Sequence, residues 1–197
     1  MWSQRKFKFQ NRKYKYFSNK YNDSWQNERA VEIPIIWNIV KTQKGSILEV
    51  GNVLSHYFPL PHDVLDKYEK AEGVVNEDVV DFQTPKRYDL IVSISTLEHV
   101  GWDETPKDDK KILVAIDCLK KLLAPKGKIV VTVPLGYNPY LNGFLKDNKL
   151  EFTSRFYLKR ISKDNLWEET DLKGLEKAQF NNPFLFANAV VIGIIEI

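Results

Sequence analysis

Four short apolar runs, separated by helical or polar stretches, constrain this sequence most. They are Ser46–Gly51, Tyr88–Ser95, Lys128–Val133 and Ala189–Ile197. Inside them apolar residues follow one another almost without alternation, as Leu90, Ile91, Val92 and Ile94 do. A strand with one face in water alternates, whereas a parallel strand covered on both faces does not. Weaker strand candidates are Val64–Leu65, Val74–Val80 and Phe156–Ile161. Helices fall between the runs. Ala30, Ile33, Trp37 and Val40 mark one face of a helix over Asn27–Lys41, with Pro34 expected to kink or restart it. Ile112, Ile116, Leu119 and Leu123 mark another, widened by Leu113, Ala115 and Leu122. For that helix Thr105 and Asp108 resemble a capping box, Pro106 takes the first helical position, and Pro125-Lys126-Gly127 supplies the stop. Alternating strands and helices predict an α/β protein, an open sheet with helices on both faces. The very apolar Ala189–Ile197 belongs at its centre.

Composition narrows the class. A chain of 197 residues, 43% apolar and 13% aromatic, can bury a core and is not disordered. The single cysteine, Cys118, excludes an intramolecular disulfide framework and any multi-cysteine metal site. It most simply fills space beside the apolar face of its helix. No apolar run approaches the roughly 18 residues of a membrane span. The basic N-terminus is followed by no apolar stretch, so a cytoplasmic protein is expected. His56, His62 and His99 lie too far apart in sequence to suggest a metal site, and none is expected.

The net charge of +3 is unevenly spread. Arg5, Lys6, Lys8, Arg12, Lys13, Lys15 and Lys20 precede the first acid, Asp23, and interleave with Trp2, Phe7, Phe9, Tyr14, Tyr16, Phe17 and Tyr21. The chain therefore divides into a basic aromatic arm, 1–25, and a domain, 26–197. Residues 1–21 either bind nucleic acid through phosphate contacts and stacking, or pack their rings on the domain and leave their charges in water.

Ligands of open α/β sheets bind beyond the carboxyl ends of the strands. The residues there are Glu49–Gly51, Asp66, Asp78, Ser95–His99 and those after Pro134. No dinucleotide fingerprint is present, since Val53 and His56 stand where it needs glycine, and there is no Walker loop.

The order Ile47-Leu-Glu-Val-Gly51, Asp66, Asp78-Val79, then Tyr88 to Val100 ending in Ser-Thr-Leu-Glu-His-Val, then Leu122-Leu-Ala-Pro-Lys-Gly127 before Lys128–Pro134, resembles the class I S-adenosylmethionine-dependent methyltransferases. The resemblance spans about residues 46 to 135. It implies a Rossmann-like open seven-stranded sheet, mostly parallel, with the last strand antiparallel and inserted between its neighbours. It implies S-adenosyl-L-methionine as cofactor, held by Glu49, Gly51, Asn52, Asp66, Asp78, Val79, Ser95 and Leu97. Asp66 would take the ribose hydroxyls, with Asp63 and Glu69 as competitors, and Asp78 with Val79 would meet the adenine. The sequence departs from the family at Val53 and Ser55, which replace loop glycines. Glycine serves there for close backbone approach and positive φ, which a β-branched residue tolerates poorly. An inactive binding or scaffold protein on the same fold is therefore the alternative, and a nucleic-acid-binding protein using the arm is another.

Methyl transfer to an amine or hydroxyl requires removal of a proton. His99 is the candidate base, because histidine ordinarily titrates closest to neutral pH, and Glu98 is a candidate acceptor-binding carboxylate. The plainer alternative is that both shape the loop. Arg29, between Glu28 and Glu32, would pair with the cofactor's carboxylate or an anionic acceptor, or lie on a solvated helix face. Tyr137 and Asn138 offer a flat surface and amide chemistry to a small-molecule or sugar-like acceptor.

Overall fold

The apolar runs pair with one another. The computed structural model describes residues 4–175 and 178–197. In chain order the elements are β1 (Lys6–Phe9), β2 (Arg12–Lys15), α1 (Arg29–Val40), β3 (Ile47–Val50), β4 (Asp63–Leu65), β5 (Val74–Val75), β6 (Tyr88–Ile94), α2 (Lys111–Lys121), β7 (Leu123–Pro134), α3 (Pro139–Lys146), β8 (Ser154–Arg160), β9 (Trp167–Thr170) and β10 (Ala189–Glu196). One sheet has the order β5-β4-β3-β6-β7-β10-β8-β9. The strands from β5 to β7 are parallel. β10 enters antiparallel between β7 and β8, so the apolar C-terminal run is central and inserted, as expected. The sheet has eight strands rather than seven. The addition is β9, an antiparallel edge strand on β8, whose polar Trp-Glu-Glu-Thr sequence carries no apolar run.

Period two sends alternate residues of each strand to opposite faces. Leu90, Val92, Ile94, Val130, Val190 and Ile192 pack with α1. Leu48, Val50, Ile91, Ile129, Val131 and Val191 pack with α2 and α3. Helices thus cover both faces. Gly193 interrupts the apolar run for a steric reason: a Cβ there would come within 2.3 Å of the Phe152 ring, which lies across the strand. Among the described residues no helix is long and apolar enough to cross a membrane.

Helix α1 differs from the single-faced helix that its spacing suggests. Ala30, Val31, Ile33, Ile35, Ile36 and Val40 are all buried, because the sheet covers one side and the arm the other. Pro34 lies within a continuous helix. Lacking an N–H, it leaves the Ala30 carbonyl without its helical partner, and the Phe17 N–H of the arm donates to that carbonyl at 2.9 Å. The proline therefore creates the point where the arm docks. The arm itself is a hairpin, β1–β2, turning at Gln10 and Asn11, both at positive φ as a two-residue hairpin turn requires. Phe7, Phe9 and Tyr16 are buried in the α1-side core, while Lys6, Lys8, Lys13 and Lys15 are exposed. Trp2 lies outside the described residues.

Three element limits need correction. The strand expected over Val74–Val80 pairs only at Val74–Val75. Helix α2 begins at Lys111, not near Pro106, because Asp108 spends its side chain on the Lys110 N–H and the loop before it carries Asp103 and Glu104 to a polar network described below. It also ends at Lys121, and β7 starts before the Pro125-Lys126-Gly127 stop.

Phe9 meets Phe156 edge-on at 5.7 Å between centroids. Phe9→Ala is expected to lower the stability of the whole domain by about 3 kcal/mol in a single denaturant transition. An unchanged midpoint would show the hairpin to be independent of the core.

Candidate functional site

The carboxyl ends of β3, β4 and β6 open onto a cavity of about 530 Å³. Val50, Leu65, Val79 and Val100 give it apolar walls, and Asp66, Glu69, Asp78 and His99 give it polar ones. The volume lies within the roughly 300–1,000 Å³ of small-ligand clefts. Gly51 turns the chain away from β3 at φ 88°, donating its N–H to the Leu65 carbonyl at 2.8 Å. A Cβ there would sit 2.1 Å from the Thr96 hydroxyl oxygen. The glycine thus lets the ends of β3 and β6 close on one another at the cavity floor.

Glu49 lies behind this turn rather than on the cavity wall. It is fully buried, and its Oε1 accepts from the Val53 N–H at 3.0 Å and the Leu54 N–H at 2.6 Å. Its Oε2 meets His62 Nε2 at 2.7 Å. This arrangement answers the expectation attached to Val53 and Ser55. Neither is among the residues at positive φ, and Val53 has an ordinary φ of −111°. The Val53 side chain packs against the α1-side core, away from the cavity. The Ser55 hydroxyl bonds the Asn52 side chain. The loop holds its shape through a carboxylate instead of through further glycines.

The carboxylates at the strand ends differ in how far they are engaged. Asp66 accepts from the Tyr68 and Glu69 N–H groups, both at 2.8 Å, and from the Asn52 N–H at 3.0 Å. Glu69 shares the wall and accepts from Asn52 Nδ2 at 2.7 Å, with His56 Nε2 at 2.9 Å. Asp63 starts β4, at the opposite end of the strand, and is held by Lys86 and Tyr88, so it is not part of this site. Asp78 and Glu104 are bridged twice, by Lys111 and by Lys67. Burial alone would raise both carboxyl groups, but the hydrogen bonds and charges of the two lysines outweigh it and hold them below their ordinary values.

His99 projects into the cavity. Its Nδ1 donates to Asp103 Oδ2 at 2.5 Å, and the Tyr137 hydroxyl donates to the same oxygen at 2.6 Å. Burial tends to raise Asp103, yet these two donors bring it below the ordinary range. Tyr137, buried and facing the Asp103 charge, is pushed up. The bond to Asp103 leaves the His99 Nε2 lone pair directed elsewhere, 3.6 Å from Glu98 Oε1.

The remaining candidates lie outside the wall. Asn138 caps α3 through its side-chain oxygen and donates to the Glu98 carbonyl at 2.9 Å. Leu97 is core. Ser95, at φ 39°, donates its hydroxyl to Glu32 at 2.6 Å. Arg29 donates to Glu32 at 2.7 Å and is largely buried, not on a solvated face. So the structure brings Gly51, Asp66, Asp78, Val79 and His99 to one cavity. It sets Glu49 and Asn52 behind it, and Arg29, Ser95 and Glu98 beside it. Lys67, Lys111, Asp103 and Glu104 escape a sequence reading. The one available signal was Asp103 four residues after His99.

No family model matches the chain, and no curated protein matches it in sequence. Solved structures do share its fold. The N-methyltransferase NodS of Bradyrhizobium japonicum, in complex with S-adenosyl-L-homocysteine, is similar over 86% of this chain and 86% of that chain, at TM-score 0.54 and 15% identity. A SAM-dependent methyltransferase from Archaeoglobus fulgidus is similar over 86% of this chain and 94% of that one, at TM-score 0.52 and 15% identity. At this identity the likeness is one of fold, and the chain has a class I methyltransferase-like architecture.

Two tests follow from the glycine turn and the carboxylate behind it. Gly51→Ala is expected to cost about 2–3 kcal/mol, from positive φ and the Thr96 clash together, and a Thr96→Ala background to recover the steric share. No recovery would show that the clash is not the cause. The second concerns His62. Burial opposes its charge, but the hydrogen bond and charge of Glu49 prevail and raise its pKa. Its stabilisation is therefore complete below the ordinary histidine value of about 6.5 and is lost as pH rises through the raised folded value. Thermal melts of wild type and His62→Gln should differ most at acid pH and converge as pH rises. A gap that widens with pH would contradict this.

Proposed function

We propose that this protein binds S-adenosyl-L-methionine in the strand-end cavity and methylates a small or sugar-like acceptor. The observation that carries this is the cavity itself. It lies beyond the carboxyl ends of three parallel strands, over a glycine whose Cβ position is filled by Thr96. The residues present fit the cofactor. Carboxylates at Asp66 and Glu69 suit vicinal hydroxyls, because each oxygen accepts more than one bond. Val79 and Val100 give a flat ring apolar contact, with Asp78 beside them for an exocyclic amine. When bound, the cofactor supplies an electrophilic methyl group on a positively charged sulfur.

The chain's own residues would supply orientation and proton removal. Asp103 fixes the His99 ring and its tautomer, which leaves Nε2 to accept a proton. Asp103 and Tyr137 are positioning residues in this reading, and Asn138 secures the Glu98 loop from α3. The inactive scaffold alternative drew on Val53, and an ordinary φ with a side chain turned into the core removes that ground. Nucleic-acid binding by the arm loses its stacking surface, since Phe7, Phe9 and Tyr16 are core.

Calorimetry tests the cofactor site. S-adenosyl-L-homocysteine is expected to bind in the micromolar range, and Asp78→Asn or Glu69→Gln to weaken it at least tenfold, about 1.4 kcal/mol. No binding at millimolar ligand would overturn the proposal.

A further inference from the structure

Beside the cavity, between the start of α1 and the loop after β6, three carboxylates share one guanidinium. Arg29 donates to Glu32 Oε2 at 2.7 Å and reaches the Ser95 carbonyl only at 3.5 Å. The other Glu32 oxygen accepts from the Ser95 hydroxyl at 2.6 Å. Glu28 accepts from the Ala187 N–H at 3.2 Å. Glu98 fares worst. Its side chain is 2% exposed, its Oε1 stands 3.6 Å from His99 Nε2, and its Oε2 has no hydrogen-bond partner among the described residues. The Tyr57 hydroxyl, in the field of Arg29 and Glu32, is also buried without one.

Buried polar atoms are almost always satisfied, and a buried carboxylate without a counter-charge is expensive. Here one cation faces three carboxylates, and two orphaned oxygens face the same cluster. An anionic acceptor is repelled, and Arg29 is already engaged by Glu32. Among the described residues no three such side chains are placed to hold a metal ion. What completes the site is a positive group carrying N–H donors.

We infer that the Glu28–Glu32–Glu98 cluster seats the ammonium group of the methyl acceptor, so that the acceptor is a primary or secondary amine. This rests on the reading of the neighbouring cavity as the cofactor site. The ammonium donates to Glu98 Oε2 and to the Tyr57 oxygen, and its charge offsets the excess of carboxylates. Burial, with Glu32 and Glu28 nearby, pushes the Glu98 carboxyl well up, as expected of an acid whose counter-ion arrives with the ligand. For transfer the ammonium gives one proton to His99 Nε2. The freed nitrogen lone pair then forms the bond to the methyl carbon, and the pair of the broken carbon–sulfur bond stays on sulfur.

Matched probes test this without turnover. n-Butylamine and n-butanol, benzylamine and benzyl alcohol, and D-glucosamine and D-glucose are titrated into the full chain by ligand-observed NMR, with and without S-adenosyl-L-homocysteine. At least one amine is expected to bind tenfold or more tightly than its alcohol, and Glu98→Gln and Glu32→Gln each to abolish the preference. Glu98→Gln is expected to melt no lower than wild type, since it removes an unpartnered buried acid. Equal binding of amines and alcohols, binding of neither, or a preference that survives both substitutions would overturn the inference. So would a large drop in the Glu98→Gln melting temperature, which would make Glu98 a structural group. Homocysteine-ligand binding without amine preference defeats this inference alone. Amine preference with no binding of that ligand defeats the cofactor reading instead.

Discussion

The Glu49 carboxylate, shut away from water behind the glycine turn, accepts from the Val53 and Leu54 N–H groups and meets the His62 ring. Much of the site depends on that arrangement. The N–H groups that follow Gly51 have no strand to bond and would be orphans in the core, which costs about 1–3 kcal/mol each. Glu49 satisfies two of them at once and so sets the path of the loop. Through His62 it also holds the segment that enters β4, whose far end delivers Asp66 to the cavity. Removing one partner of such a buried pair is far more damaging than the pair is stabilising, because the other is left uncompensated. The carboxylate therefore works as a positional device more than as a source of net stability.

Charge at the strand ends is organised in two ways on either side of His99. On the cavity side, Asp78 and Glu104 are neutralised by Lys67 and Lys111, and both stay ionised. On the α1 side, Glu28, Glu32 and Glu98 have only Arg29 between them, and Glu98 is driven toward its neutral form. A balanced wall suits a ligand that brings its own charge pattern and is held by many contacts. An unbalanced, dry one suits a single cation. His99, with Nδ1 on Asp103 and Nε2 turned toward Glu98, stands where these two environments meet.

The centre of the fold was legible because it obeys simple rules. Near-continuous apolar runs mean parallel strands covered on both faces, and Leu90–Ile94, Ile129–Val133 and Ala189–Ile195 follow that rule. What the sequence hid is what tertiary contacts decide. The arm read as basic and therefore solvated, although Phe7 and Phe9 alternate with lysines in strand fashion. Only the Ala30 carbonyl vacated by Pro34 shows where the arm docks. β9 stayed hidden because a four-residue polar edge strand has no hydrophobic signature. At the site, Gly51, Asp78, Val79 and His99 could be placed from their positions at strand ends. Lys67, Lys111 and Glu104 could not, since their partnership joins three separate loops. Val53 misled because the rule that glycine is needed presumes a positive φ, and Glu49 makes that conformation unnecessary.

The central claim is that the cavity above Gly51 is where the cofactor binds. The most direct measurement is an amide nitrogen–proton correlation spectrum of the labelled full chain, titrated with S-adenosyl-L-homocysteine. The account requires the large shifts to fall at Gly51 and Asn52, Asp66 to Glu69, Asp78 to Val80 and Thr96 to Val100, with the β1–β2 hairpin unmoved. Shifts centred elsewhere, or a spectrum unchanged at saturating ligand, would contradict it.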